Sequence, residues 1–106
     1  MVRQITPTEF ASRWSQDPQV MLLDVREPWE LEIAKLARAR HIPMNEVPSR
    51  LSEIDPQLMI VVMCHGGVRS LKVAQFLASQ GYPSVANLSG GIAAWQREVD
   101  PTLATY

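Results

Sequence analysis

The sequence predicts an α/β fold in which a parallel sheet is covered by helices on both faces. Three observations carry that reading. Two short runs, "QVMLLDV" (residues 19–25) and "LMIVVM" (58–63), are apolar without alternation, as in strands buried on both sides. Segments with apolar residues at helical spacing lie between and after them, so strands and helices alternate along the chain. The eight prolines are scattered singly among these segments and act as punctuation, with no repeat or low-complexity tract.

The elements follow in order. In "TPTEF", Thr6 is placed as an N-cap, Pro7 at the first helical position and Glu9 three residues beyond the cap, a capping-box pattern. The helix it opens should carry Phe10 and Trp14 on one face. After the strand at 19–25, "EPWELEIAKLARA" (27–39) combines good helix formers with Trp29, Ile33 and Leu36 near helical spacing, predicting a helix. "RHIPM" reads as a short extended stretch. Asn45 then caps a helix through "EVPSRLSEI", where Val47, Leu51 and Ile54 recur at helical spacing until "DPQ" breaks it. The strand at 58–63 leads through a loop into a helix from about Ser70 to Gln80, stopped by Gly81 with Pro83 beyond. "SVANL" supplies another strand, "SGG" a turn, and "IAAWQREV" a last helix ended by Pro101.

Composition bounds the function. At 106 residues, 46% hydrophobic and 20% charged, the chain reads as one globular domain, residues 1–106. One cysteine forms no internal disulfide, which suits a reducing compartment. A formal net charge of −1 argues against a nucleic-acid partner held by bulk electrostatics. The N-terminus lacks a signal-peptide apolar run and no segment approaches the roughly 20 apolar residues of a membrane span, so the expected location is cytoplasmic, with no membrane partner.

That single cysteine, Cys64, stands one residue past the strand at 58–63. In parallel sheets ligands bind at the carboxyl ends of strands. The residues that follow, His65, Gly66, Gly67, Val68, Arg69 and Ser70, combine flexible backbone with a helix start and an arginine. A loop curled around the sulfur turns its N–H groups inward, and the next helix adds unpaired donors and the positive end of its dipole. Such surroundings favour a thiolate. A lone cysteine is ordinarily a small buried hydrophobe; Gly66, Gly67, Arg69 and Ser70 at this spacing turn the reading to a nucleophile. Arg69 is expected to bind the anionic part of a substrate. His65 is expected at the loop mouth, not as a base, since a thiolate held by amides needs none. Ser70 has two roles open to it, capping the helix or donating to the sulfur, and the cap is the ordinary one. His41 is expected to be structural. One cysteine and two distant histidines make no metal-ligand spacing, so no metal site is expected.

The motifs "LLDVREPWE", "HIPM", "CHGGVRS" and "NLSGGIAAW", in that order, resemble the rhodanese-like sulfurtransferase domain over nearly the whole chain. The resemblance implies a parallel five-stranded sheet flanked by helices on both faces, with Cys64 in the loop after the fourth strand. It implies that Cys64 takes the outer sulfur of a donor such as thiosulfate as a persulfide and passes it to cyanide or a thiol, without a cofactor. Asp24, Arg26 and Glu30 match the family's Asp-x-Arg-x-x-x-Glu pattern, where an ion pair ordering the loops near the site is expected. Trp95 matches its closing tryptophan, expected as a core anchor. At "IAKLARARHIPM" the family's usual His-Ile-x-Gly-Ala is absent. Lys35, Arg38 and Arg40 there either charge the rim of the site or form a solvated helix face, the ordinary outcome.

Three other functions compete. A cysteine phosphatase or arsenate reductase also uses a thiolate in an amide cradle, but its loop is longer; here only His65, Gly66, Gly67 and Val68 separate Cys64 from Arg69. A binding or sulfur-relay module needs the same persulfide and a protein acceptor. Redox sensing lacks a second cysteine to resolve a sulfenic acid.

Overall fold

The computed structural model describes residues 2–106. Its elements alternate in chain order: β1 (Arg3–Ile5), α1 (Pro7–Arg13), β2 (Val20–Asp24), α2 (Pro28–Ile33), β3 (Arg40–His41), two 3-10 turns (Met44–Glu46 and Pro48–Glu53), β4 (Met59–Met63), α3 (Val68–Ser79), β5 (Val85–Leu88) and α4 (Gly91–Glu98). The five strands form one sheet in the order β1-β5-β4-β2-β3, and every pair is parallel. This is the expected architecture, with β4 at its centre.

The two apolar runs are central because both of their faces are covered. On one face Leu23, Ile60, Val62 and Val85 pack under Val73, Ala74 and Leu77 of α3 and under Val47 and Ile54, which flank the second 3-10 turn. On the other, Leu22, Val61, Met63, Ala86 and Leu88 meet Phe10 of α1 and Ile92 of α4. Alternate side chains of one strand therefore serve two cores, which explains the lack of polar alternation. Trp95 packs its ring against Phe10 at a centroid distance of 5.9 Å, consistent with an anchor for α4.

Several elements depart from expectation. The Thr6 side chain accepts from the Glu9 amide at 3.1 Å, but the Glu9 carboxylate faces Arg13, so only half of the capping box forms. Helix α2 stops at Ile33, not at residue 39: Ala34 is extended, and its carbonyl accepts from the buried Arg26. Residues 34–39 instead run as an irregular segment tied down by Arg38, whose guanidinium donates to the carbonyls of Trp14, Ser15, Asp17 and Val20. Arg40 pairs with Glu53. Arg38 and Arg40 are thus spent on local structure, and neither a charged rim nor a helix face is made of them. The helix expected from Asn45 is the pair of 3-10 turns, with Asn45 inside the first one and capping nothing. Pro48 has no N–H to continue an α-helical ladder, so short-range bonding takes over. Strand β1 carries too few residues to show a pattern of its own and exists through pairing with β5.

Among the described residues, no helix is long and apolar enough to cross a membrane.

Candidate active site

Cys64 leaves the carboxyl end of the central strand β4, between β5 and β2. The helices after β4 and β5 lie on opposite faces of the sheet, which opens a crevice at the strand ends where a loop can sit. The loop 64–67 fills it. Its carbonyls turn outward: Cys64 O accepts from the Ile92 amide at 2.9 Å and His65 O from the Ala93 amide at 3.1 Å. These are first-turn N–H groups of α4, which have no partner within their own helix. Gly91 permits the approach, because a side chain there would collide with both carbonyl oxygens.

With the carbonyls facing α4, amides turn toward the sulfur. The Gly67 N–H lies 3.1 Å from Cys64 Sγ, the Ser70 N–H 3.4 Å and the Ser70 hydroxyl 3.3 Å. Gly67, at φ 104°, occupies the left-handed region that makes this turn possible and also serves as the N-cap of α3. Ser70 therefore does not cap the helix; it sits in the first turn with its backbone and side chain toward Sγ. Gly66 has an ordinary φ and open space where a Cβ would stand, so only one of the two loop glycines is conformationally required. The amides directed at Sγ are those of Gly67 and Ser70, fewer than a cradle spanning residues 65–70. Cys64 itself is buried, and Val68 beside it is 69% exposed.

Arg69 points its two terminal nitrogens at Glu30: Nη1 to Oε2 at 2.7 Å and Nη2 to Oε1 at 2.9 Å. This fork-on-carboxylate pairing raises the Arg69 pKa, and Cys64 and Tyr106 act in the same direction. The same bonds hold the Glu30 carboxyl down at about 2 against burial, helped by the Glu27 amide and the Tyr106 hydroxyl. Arg26, fully buried, grips Asp24 at 2.8 Å and donates to Ala34 O and the Tyr106 hydroxyl. Burial alone would lower its pKa; the bonds to Asp24 and Tyr106 more than reverse that. The anticipated ion pair is Asp24–Arg26, whereas Glu30 belongs to Arg69. His41 Nε2 meets the Arg26 carbonyl at 2.6 Å, a structural role.

His65 stands at the mouth, its ring stacked on Tyr106 at 4.1 Å and 14°. Together they line a pocket of about 230 Å³ with Ile92, Gln96 and Arg97. Tyr106 and Asn87 are the two site residues that sequence reasoning missed. Tyr106 donates to Glu30 at 2.8 Å and lies 76 positions from it, a contact without local pattern. Asn87, in contrast, was detectable: a polar residue inside the short apolar strand "VANL", in a buried position, needs partners.

Comparison with known proteins agrees with this geometry. The family model for the rhodanese-like domain matches residues 6–98. A protein of Allochromatium vinosum named sulfurtransferase is 36% identical over 98% of this chain and 97% of its own. The rhodanese-like/PpiC domain-containing protein 12, chloroplastic, of Arabidopsis thaliana is 41% identical over 99% of this chain, which spans 38% of that protein's length. The crystal structure of a rhodanese-like domain protein from Staphylococcus aureus superposes with a TM-score of 0.83 at 30% identity, covering 99% of both chains. With a cysteine loop after the central strand, amides converging on one sulfur and a family-model match over most of its length, the chain belongs to the rhodanese-like domain family.

Proposed function

We propose that this chain is a sulfurtransferase that carries sulfane sulfur on Cys64, taking it from a small anionic donor such as thiosulfate and giving it to cyanide or a thiol. The observation that carries the reading is the pair of amide donors, Gly67 N–H and Ser70 N–H, within 3.4 Å of a buried Sγ, with the Ser70 hydroxyl oxygen 3.3 Å away. The Cys64 thiolate attacks the outer sulfur of thiosulfate: an S–S bond forms, the bond to the sulfonate sulfur breaks, and sulfite leaves with the electron pair. The persulfide's terminal sulfur holds the negative charge. An acceptor such as cyanide then attacks it, the Sγ–S bond breaks, and the thiolate is regenerated with release of thiocyanate. The two amides are already in place when charge develops and need no reorganisation, which is their catalytic value.

Arg69 contributes positive potential at the loop, held in place by Glu30, and its remaining N–H groups are available to the donor's sulfonate. His65, Gly66 and Val68 form the rim through which the donor enters. A protein acceptor is the second reading, favoured by the exposed Val68 and by Trp29, 57% exposed beside Tyr106.

The test is intact-protein mass spectrometry after thiosulfate treatment, comparing the native chain with Cys64→Ser. Gain of one sulfur atom in the native chain alone, removed by cyanide with thiocyanate released, is the expected result. No adduct with thiosulfate or other sulfane donors, together with phosphate-ester turnover that Cys64→Ser abolishes, would instead point to a phosphatase.

A further inference from the structure

Asn87 of β5 is 3% exposed and engages both its N–H groups and its carbonyl oxygen. Its Nδ2 donates to the carbonyl of Gly67 at 3.2 Å and to Gln4 Oε1 at 3.2 Å, and its Oδ1 accepts from the Ser70 hydroxyl at 2.6 Å. A backbone carbonyl can only accept, so Nδ2 must face Gly67 and Oδ1 must face Ser70. Gly67 and Ser70 are also the residues that present their donors to Cys64 Sγ. One side chain thus grips both parts of the sulfur's surroundings.

A serine hydroxyl has one hydrogen. With that hydrogen on Asn87 Oδ1, the Ser70 oxygen offers the sulfur, 3.3 Å away, only lone pairs. In this arrangement the hydroxyl donates nothing to Sγ. When the thiol proton leaves to solvent, a hydrogen bond to the charged sulfur is roughly twice as strong as a neutral one. The hydroxyl then rotates from Asn87 to Sγ.

We infer that Asn87 is a positioning residue for the nucleophile: it fixes the Gly67 peptide and holds the Ser70 hydrogen away from Cys64 until the sulfur carries charge. The inference rests on Cys64 being the nucleophile of the proposed sulfur transfer. Its test needs no donor, so its failure and a failure of sulfur loading are separate results.

The experiment measures the ratio of thiolate to thiol from thiolate absorbance, referenced to Cys64→Ser, at the pH where the native protein is half ionised. Asn87→Ala releases the Ser70 hydrogen to the sulfur and should raise the ratio by about threefold to tenfold, the coupling usual within one hydrogen-bond network. Asn87→Asp, a stronger acceptor carrying charge, should lower it. In a Ser70→Ala background the effect of Asn87→Ala should vanish. A purely structural Asn87 would loosen the loop and move the ratio the same way in both variants. A lower ratio in Asn87→Ala, or an increase that persists in Ser70→Ala, would overturn the inference. Should Asn87→Ala not fold, the Asn87 side-chain amide resonances in the unaltered residue serve instead. They should shift as Cys64 ionises in the native protein and lose most of that shift in Ser70→Ala; equal shifts in both overturn it.

Discussion

Two adjacent glycines differ in what they contribute. Gly67 needs its left-handed φ of 104°, and a Cβ there would also press on the Gly90 amide at 3.3 Å. Gly67→Ala should therefore cost about 1–2 kcal/mol in chemical denaturation and displace an amide from the sulfur. Gly66→Ala, with open space and an ordinary φ, should leave stability within about 0.5 kcal/mol of the native chain. Glu30 is a residue whose charge matters as much as its shape. Its folded pKa, about 2, lies below the ordinary 4.5, so the stability it contributes is present above 4.5 and is lost as pH falls toward 2. The linkage amounts to roughly 3 kcal/mol. Thermal unfolding from pH 6 down to pH 2 should show a steeper loss in the native protein than in Glu30→Gln, which starts lower and changes less. From sequence, Glu30 was recognisable as a member of a charged motif, but its partner was not: Arg69 lies 39 positions away and is brought to it only when α2 and the first turn of α3 meet at the strand ends.

At the scale of elements, the site is a contract between the β4 loop and the first turn of α4. The loop can turn amides inward because α4 takes its carbonyls, and α4 can approach because residue 91 lacks a side chain. Gly91→Ala should lower stability by roughly 1–3 kcal/mol, the usual cost of overpacking. It should also reduce sulfur loading, read by mass spectrometry, more than an equally destabilising change in α1 does. The "SGG" turn was legible as a turn, whereas its service to the cysteine loop was not. Helix limits failed where side chains reached across elements. The pattern at 27–39 is helical in isolation, yet Arg38 finds carbonyls of the 14–20 turn and Ala34 O finds Arg26, and those long-range bonds outweigh local propensity. At 45–54 the spacing of Val47, Leu51 and Ile54 gave two buried positions, Val47 and Ile54, and one partly buried, Leu51, all packed on the same core although Val47 and Ile54 flank the 3-10 turns and ride on no helix.

For the whole molecule, Arg26 is the junction. It joins the end of β2 through Asp24, the end of α2 through Ala34, and residue 106 through the tyrosine hydroxyl, with no exposure to water. Arg26→Met strands Asp24 as an uncompensated buried charge and should cost about 3–5 kcal/mol; adding Asp24→Leu should recover part of that loss, since a buried pair replaced by apolar residues is often neutral. Denaturant unfolding of the two variants checks both statements. The sequence by itself determined the fold class, the doubly covered strands and the cysteine loop, because each is written in local periodicity, in glycine and proline placement, or in the residues around one sulfur. Only the tertiary structure decided that Glu30 holds Arg69, that Asn87 grips Gly67 and Ser70, and that Tyr106 covers His65. Those pairings join residues distant along the chain, and a hydrogen bond depends on ångström distances and directions that exist only once the sheet has assembled.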